Sequence, residues 1–284
     1  MNRSATPLER PKQLEGRQFL TDAEVAEMKK RGDHFFADGR SDYLDSDHLF
    51  DAVLSKAEVY KNPDATEGTD LTIKLEFDNR TSLIVDPPDG KLPPYTPAGK
   101  QRRDAADALD TLKNPPAGAK DLAPYQRCIV NGVPSIGGSA YSYFQIVQTW
   151  DYVVIAMEYI HEARIIPLDG RPHLPQSVRQ WDGDSVGHWE GQTLVVDTMN
   201  FTRYVPFYGS VDGLHLIERF TRVAPDEIRY EITVDDPATW TKPWTAVQRL
   251  KQTDERIFEV ACHEGNARII EDMLSGATST KTKH

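Results

Sequence analysis

The sequence is short of long apolar runs, basic clusters and cysteine motifs, and each shortage removes a class of protein. No stretch approaches the roughly 18 consecutive apolar residues of a membrane-spanning helix, so no membrane span is expected. Lys and Arg total 33 against 44 Asp and Glu, a formal net charge of −11, and no block of Lys and Arg stands out. Phosphate binding needs clustered cations, so nucleic acid is not an expected partner. The only two cysteines, Cys128 and Cys262, lie far apart and outside any CxxC or Cys/His zinc spacing. Two core thiols are the favoured reading. A single disulfide closing a long loop is the alternative, and it needs an oxidising compartment. The opening MNRSATPLERPKQL has no apolar segment behind its first basic residue, so no signal peptide is expected. On that basis the chain reads as cytoplasmic, or as periplasmic if a leader has been removed. Neither a GxSxG elbow nor a GxxxxGK(S/T) loop occurs, and Asn131–Gly138 does not match GxGxxG. Nucleotide and hydride chemistry are therefore unsupported, and no cofactor is expected.

What is present is a soluble balance, with 39% hydrophobic residues over 284 positions, enough to bury a sizeable core. Residues 1–125 read as an irregular, partly helical arm. Thr21-Asp22-Ala23-Glu24 has the form of a capping box and opens a helix to about Phe36. Strand-like runs follow at Leu71–Phe77 and Ser82–Val85, then a proline-rich extended stretch, Leu92–Pro97, and a second helix at Gln101–Leu112. From residue 126 the texture is that of strands: Tyr143–Thr149, Tyr152–Ile166, Thr193–Phe201, Leu214–Val223, Glu227–Val234, Thr245–Gln252 and Arg256–Ala261. Short turns at close spacing predict an antiparallel meander with at least six strands between 126 and 262. A last helix, Ala267–Leu274, is expected to start from Asn266 as its cap. The fold class is thus mainly β: an antiparallel lipocalin-like (calycin) barrel over 126–284, wrapped by the N-terminal arm and closed by the C-terminal helix.

Candidate site residues cluster on the long run 152–166. Read as one strand, it alternates faces. One face carries Glu158, Glu162 and Arg164, and the other carries Tyr159 and His161. His161 with Tyr159 as its donor partner is the first acid/base pair, because imidazole titrates near neutrality and a phenol donates to a developing oxyanion. Glu158 with Arg164 is the rival pair. His263, at the corner between the last strand and the last helix, is predicted to line the same cavity, near His161 or Glu158. Candidate ligand contacts are Tyr230, Trp240 and Trp244, the last two as an aromatic lid or as barrel-end packing. Asp197 and Arg219 join them as inward polar groups, with Glu231 beside them, and His173 sits on a Pro-clamped loop. Trp181 and Trp189 are read as a cross-strand pair. His161, His173 and His263 follow no ligand-spacing rule, so no metal is assigned.

Several strings then carry a resemblance. Thr6–Pro11, Ile84–Gly90, Ala163–Leu174 (ARIIPLDGRPHL), Trp189-Glu190-Gly191 with Thr193–Val196, Glu218–Arg222 (ERFTR) and Ala261–Asn266 (ACHEGN) resemble the recurring motifs of a large bacterial family labelled hypothetical. The similarity spans nearly the whole chain and implies motif positions but no activity. Export signals among its members favour the disulfide reading, and the lack of one here disfavours it. Two functions follow from the residues: a cofactor-independent lyase, isomerase or cyclase on an apolar or aromatic small molecule, or a non-catalytic binder of a hydrophobic ligand. Substrate, reaction and oligomeric state are left open.

Overall fold

The computed structural model describes residues 3–4, 6–35, 46–56, 75–76, 78–108, 118–136, 143–254, 256–258 and 260–275. Near the N-terminus β1 (Arg3–Ser4) pairs in parallel with β2 (Leu75–Glu76), and β3 (Ile84–Asp86) joins the main sheet. A meander follows: β4 (Phe144–Gln148), β5 (Tyr152–Met157), β6 (Ala163–Pro167), β7 (Asp184–Glu190), β8 (Thr193–Met199), β9 (His215–Ala224), β10 (Glu227–Asp235) and β11 (Trp244–Lys251). Consecutive strands pair antiparallel, except that β6 and β7 belong to separate sheets. One sheet runs β4-β5-β6 and the other β3-β11-β10-β9-β8-β7. The mainly β, antiparallel expectation holds, with eight strands between 126 and 262. Among the described residues these form two sheets and no closed cylinder.

Period-two alternation decides which side chains meet between the sheets. Leu216, Glu218 and Phe220 of β9, Tyr230, Ile232 and Val234 of β10, and Trp244 and Ala246 of β11 are buried on one side. Val153, Ile155 and Met157 of β5 and Arg164 and Ile166 of β6 are buried on the other. Ile166 and Leu216, at 0% exposure, each contribute roughly 1.5–3 kcal/mol. Close approach of β6 to β7 depends on Gly187, where a Cβ would stand 2.8 Å from Ile166 Cγ2 and 2.9 Å from Leu168 Cδ2.

The arm behaves much as its local chemistry dictates. Helix α1 (Asp22–Phe35) starts with the expected capping box: Glu24 Oε2 accepts the Thr21 N–H at 2.8 Å and Thr21 Oγ1 accepts the Glu24 N–H at 3.3 Å. It packs with α2 (Ser46–Leu54) around Met28, Phe50 and Val53. Leu83 and Ile84 carry the arm into the main core. Helix α3 (Pro97–Ala108) begins four residues before the expected Gln101, because Thr96 caps the Gly99 N–H at 3.0 Å and Pro97 takes the first helical position. The C-terminal helix α4 spans Asn266–Ser275, starting at the expected Asn266, whose side-chain amide donates to the Gln126 carbonyl at 3.1 Å.

Four other expectations are corrected. The run Tyr152–Ile166 is two strands, because the chain turns at 158–162, where Ile160 (φ 60°) and His161 (φ 56°) take left-handed backbone. No described residue of Arg256–Ala261 is in a strand. Trp189 faces Leu194 across the hairpin, whereas Trp181 precedes β7 and its ring lies 6.2 Å from Tyr204. Finally, Cys128 and Cys262 are not core thiols but a disulfide bridging 134 positions. It ties the irregular C-terminal segment to the turn at 124–128. Of the run Leu71–Phe77, only β2 lies among the described residues. No helix among the described residues is long and apolar enough to cross a membrane.

Candidate functional site

Where β6 and β7 part, a cleft of about 630 Å³ opens, inside the roughly 300–1,000 Å³ range of small-molecule sites. Tyr152 and Ile165 line it from the three-stranded sheet, Pro172 and Leu174 from the following loop, and Trp181 from the turn before β7. A second, narrow cavity of about 30 Å³ lies between the sheets, with room for roughly one or two waters. Phe144, Ile155 and Met157 line it on one side and Phe220 and Tyr230 on the other, with Glu162, Arg164, Asp182 and Glu218 as its charged groups. Arg164 and Asp182 line both spaces.

Arg164 reaches the cavity because β5 and β6 are in register: it stands opposite Ile155, on the inward parity of Ile166. Its guanidinium is almost fully committed. Nη1 donates to Glu218 Oε1 at 3.0 Å and Nη2 donates to the other Glu218 oxygen. Nε donates to Ser185 Oγ at 2.9 Å and Nη2 also to Thr198 Oγ1 at 2.8 Å. Tyr230 completes the set, its hydroxyl donating to Glu218 Oε1 at 2.5 Å. Burial works against the Arg164 charge, but the Glu218 carboxylate outweighs it and raises the guanidinium's proton affinity. Burial, then the same carboxylate, pushes the Tyr230 phenol well above its ordinary range. The pair is thus a fixed charge network at the floor of the site.

Two more carboxyls line the narrow cavity, Glu162 and Asp182, and Asp182 also lines the cleft. Asp182 is delivered by the Asp182-Gly183 turn, where Gly183 has φ +70° and a Cβ would sit 2.7 Å from the Met199 carbonyl. Glu162 comes from the turn before β6 and accepts the Asn131 N–H at 3.3 Å. Burial first, then hydrogen bonding and repulsion from Asp182, pushes the Glu162 carboxyl up to about 9. Asp182 Oδ1 is buried and accepts nothing when both groups are ionised. A proton held by Glu162 and donated to Asp182 removes both problems at once. The left-handed Ile160 and His161 next to Glu162 mark the kind of backbone strain that persists where surroundings over-determine it.

A second polar chain runs along the outer face of the large sheet. His173 Nδ1 lies 2.9 Å from Asp184 Oδ2 and its Nε2 3.2 Å from Asp197 Oδ1, which in turn lies 2.8 Å from His215 Nε2. The Asp197 hydrogen bond raises the His215 imidazole. Burial tends to raise Asp197, but His215 and then His173 leave it lowered. Asp184 also accepts the Leu174 N–H at 2.8 Å, so this chain fastens the loop over the cleft to the sheet. Among the described residues no group of three or more His, Cys, Asp or Glu side chains is arranged to hold a metal ion.

Of the residues singled out from sequence, Arg164 and Tyr230 meet in the cavity. The others do not join them. Tyr159 and His161 lie on the 158–162 turn, His161 is exposed, and neither lines the cleft or the cavity. Glu158 is buried but spends Oε1 on the Phe258 N–H at 3.0 Å, so it is no partner of Arg164. His263 is exposed and lines neither space, because β11 ends at Lys251 and the chain beyond it is irregular. Trp240 and Trp244 are core, at 1% and 0% exposure, with rings 5.7 Å apart edge-to-face, and form no lid. Arg219 and Glu231 face outward: Arg219 pairs with Glu190 at 2.6 Å, and Glu231 pairs with Arg229 at 2.5 Å. Asp197 and His173 belong to the outer chain. Glu218 and Asp182 are absent from the sequence candidates. For Glu218 a signal existed, since it shares parity with Leu216 and Phe220. For Asp182, on a turn, none did.

No family model and no curated protein matches the chain. Among solved structures it is similar to the crystal structure of a mutant of the fluorescent protein UnaG, at 16% identity over 46% of this chain and 86% of that one, with a TM-score of 0.27. That likeness is too slight to transfer a fold or a ligand.

Proposed function

We propose that the chain is a cofactor-independent acid/base enzyme, a lyase or isomerase. Its substrate is a hydrophobic or aromatic small molecule, held where the lipocalin-like meander splits between β6 and β7. The observation that carries this is the Glu162–Asp182 pair: both carboxyls line the narrow cavity between the sheets, and Asp182 lines the open cleft as well. A carboxyl whose proton affinity is raised, beside a second carboxyl, supplies a proton donor with an acceptor next to it. Glu162, holding its proton, is the acid, and Asp182 is the base. Arg164, saturated by Glu218, Ser185 and Thr198, anchors the two sheets to each other and is not a ligand clamp. The cavity admits water but not a substrate's body, so the body lies in the cleft against Trp181 and Leu174. The disulfide supports an oxidising compartment as the place of work.

The test is a small-molecule library followed by tryptophan fluorescence for binding and by mass analysis for product. We expect conversion by the wild type and a loss of about 10²–10⁴-fold in Glu162→Gln, with binding retained. Binding without product in either protein would favour the non-catalytic binder.

A further inference from the structure

We propose, building on the reading of the cleft above, that its ligand is a monoanion, such as a carboxylate or sulfonate on an apolar or aromatic body, and that Arg179 receives the anionic group. Three guanidiniums line the cleft: Arg164, Arg171 and Arg179. Two of them are already neutralised. Arg164 is held by Glu218, and Arg171 is clamped by Asp169, with Nε–Oδ1 at 2.8 Å and Nη2–Oδ2 at 2.5 Å. Arg179 differs. Its Nη1 donates to the Asp212 main-chain carbonyl at 2.7 Å, and among the described residues no carboxylate lies within ion-pair distance of it. The Asp212 carboxylate itself turns to Arg203, at 3.3 Å.

The carbonyl contact orients the guanidinium without cancelling its charge. A guanidinium presents five N–H donors in a planar fork that matches a carboxylate. With one donor committed to Asp212, the rest of the fork is available to a ligand. The acids lining the cleft do not compete for it: Asp184 is engaged by His173 and the Leu174 N–H, and Asp182 by Glu162. At the cleft, a guanidinium without a carboxylate partner draws in an anion. Arg179, Trp181 and Asp182 lie within four consecutive positions. An anion at Arg179 therefore sets the apolar body beside Trp181 and the far end toward Asp182.

A matched probe pair tests this. 1-Anilinonaphthalene-8-sulfonate is anionic, and N-phenyl-1-naphthylamine is its neutral counterpart. Both are titrated by fluorescence into the wild type, Arg179→Gln and Trp181→Ala, with denaturation midpoints checked for each. Expected are weakening by Trp181→Ala for both probes, and a loss of about tenfold in Arg179→Gln for the sulfonate alone, diminished by salt. Sulfonate and neutral probe affected equally by Arg179→Gln would overturn the anion assignment and leave the cleft standing. Binding of both probes indifferent to Trp181→Ala would remove the cleft as the site, and this inference with it.

Discussion

Replacing Glu218 with alanine is expected to cost about 3–5 kcal/mol of folding stability, read as a shift in the denaturant midpoint. The Arg164 guanidinium is 8% exposed and the Glu218 carboxylate 1%. Without Glu218, a buried cation loses its ion-pair partner and the Tyr230 hydroxyl its acceptor. The penalty is that of an uncompensated charge more than of lost packing. The double replacement Arg164→Met with Glu218→Leu is therefore expected to recover most of the loss. Ser185 and Thr198 would still satisfy each other, since their hydroxyls lie 3.0 Å apart. A double variant as unstable as the single one would place the cost in packing instead.

Comparable in size is the effect of the disulfide. Replacing both Cys128 and Cys262 by serine is expected to lower stability by roughly 2–5 kcal/mol, near the upper end in the chain-entropy view because the closed loop is long. The bridge spans 134 positions and encloses every strand from β4 to β11. Reduction of the wild type should reproduce the loss in calorimetry. An unchanged midpoint, with faster exchange only at residues 256–275, would mean that the bridge fastens the C-terminal segment alone.

The strands were legible because alternation is local, and so was the capping box at Thr21 and Glu24. The break at 158–162 was not. No Gly, Pro or Asn marks it, and an Ile at positive φ is a conformation that tertiary contacts impose. Reading through that break made Tyr159 and His161 look like a strand pair and hid the hairpin that places Arg164 opposite Ile155. The six residues Ile217–Arg222 show the opposite case. Glu218 and Arg219 are adjacent and both charged, and only the parity of Leu216 and Phe220 tells which one is inside. The cysteine pair carried no spacing signal, because its partners meet only after the whole meander is built. Asp182 and Glu162 come from separate turns, so their encounter is a property of the fold.

Glu162 is expected to hold a proton at neutral pH beside Asp182. Carboxyl-detected carbon-13 titration of Glu162, assigned with Glu162→Gln, tests it most directly. The expected midpoint lies well above neutrality, near 9. The folded state then keeps a proton that the unfolded chain has released, so wild-type stability should fall as pH rises from about 4.5 toward 9. Glu162→Gln should flatten that slope. A Glu162 midpoint in the ordinary carboxylate range, with the same slope in both proteins, would show that Glu162 is ionised at neutral pH and is not the acid.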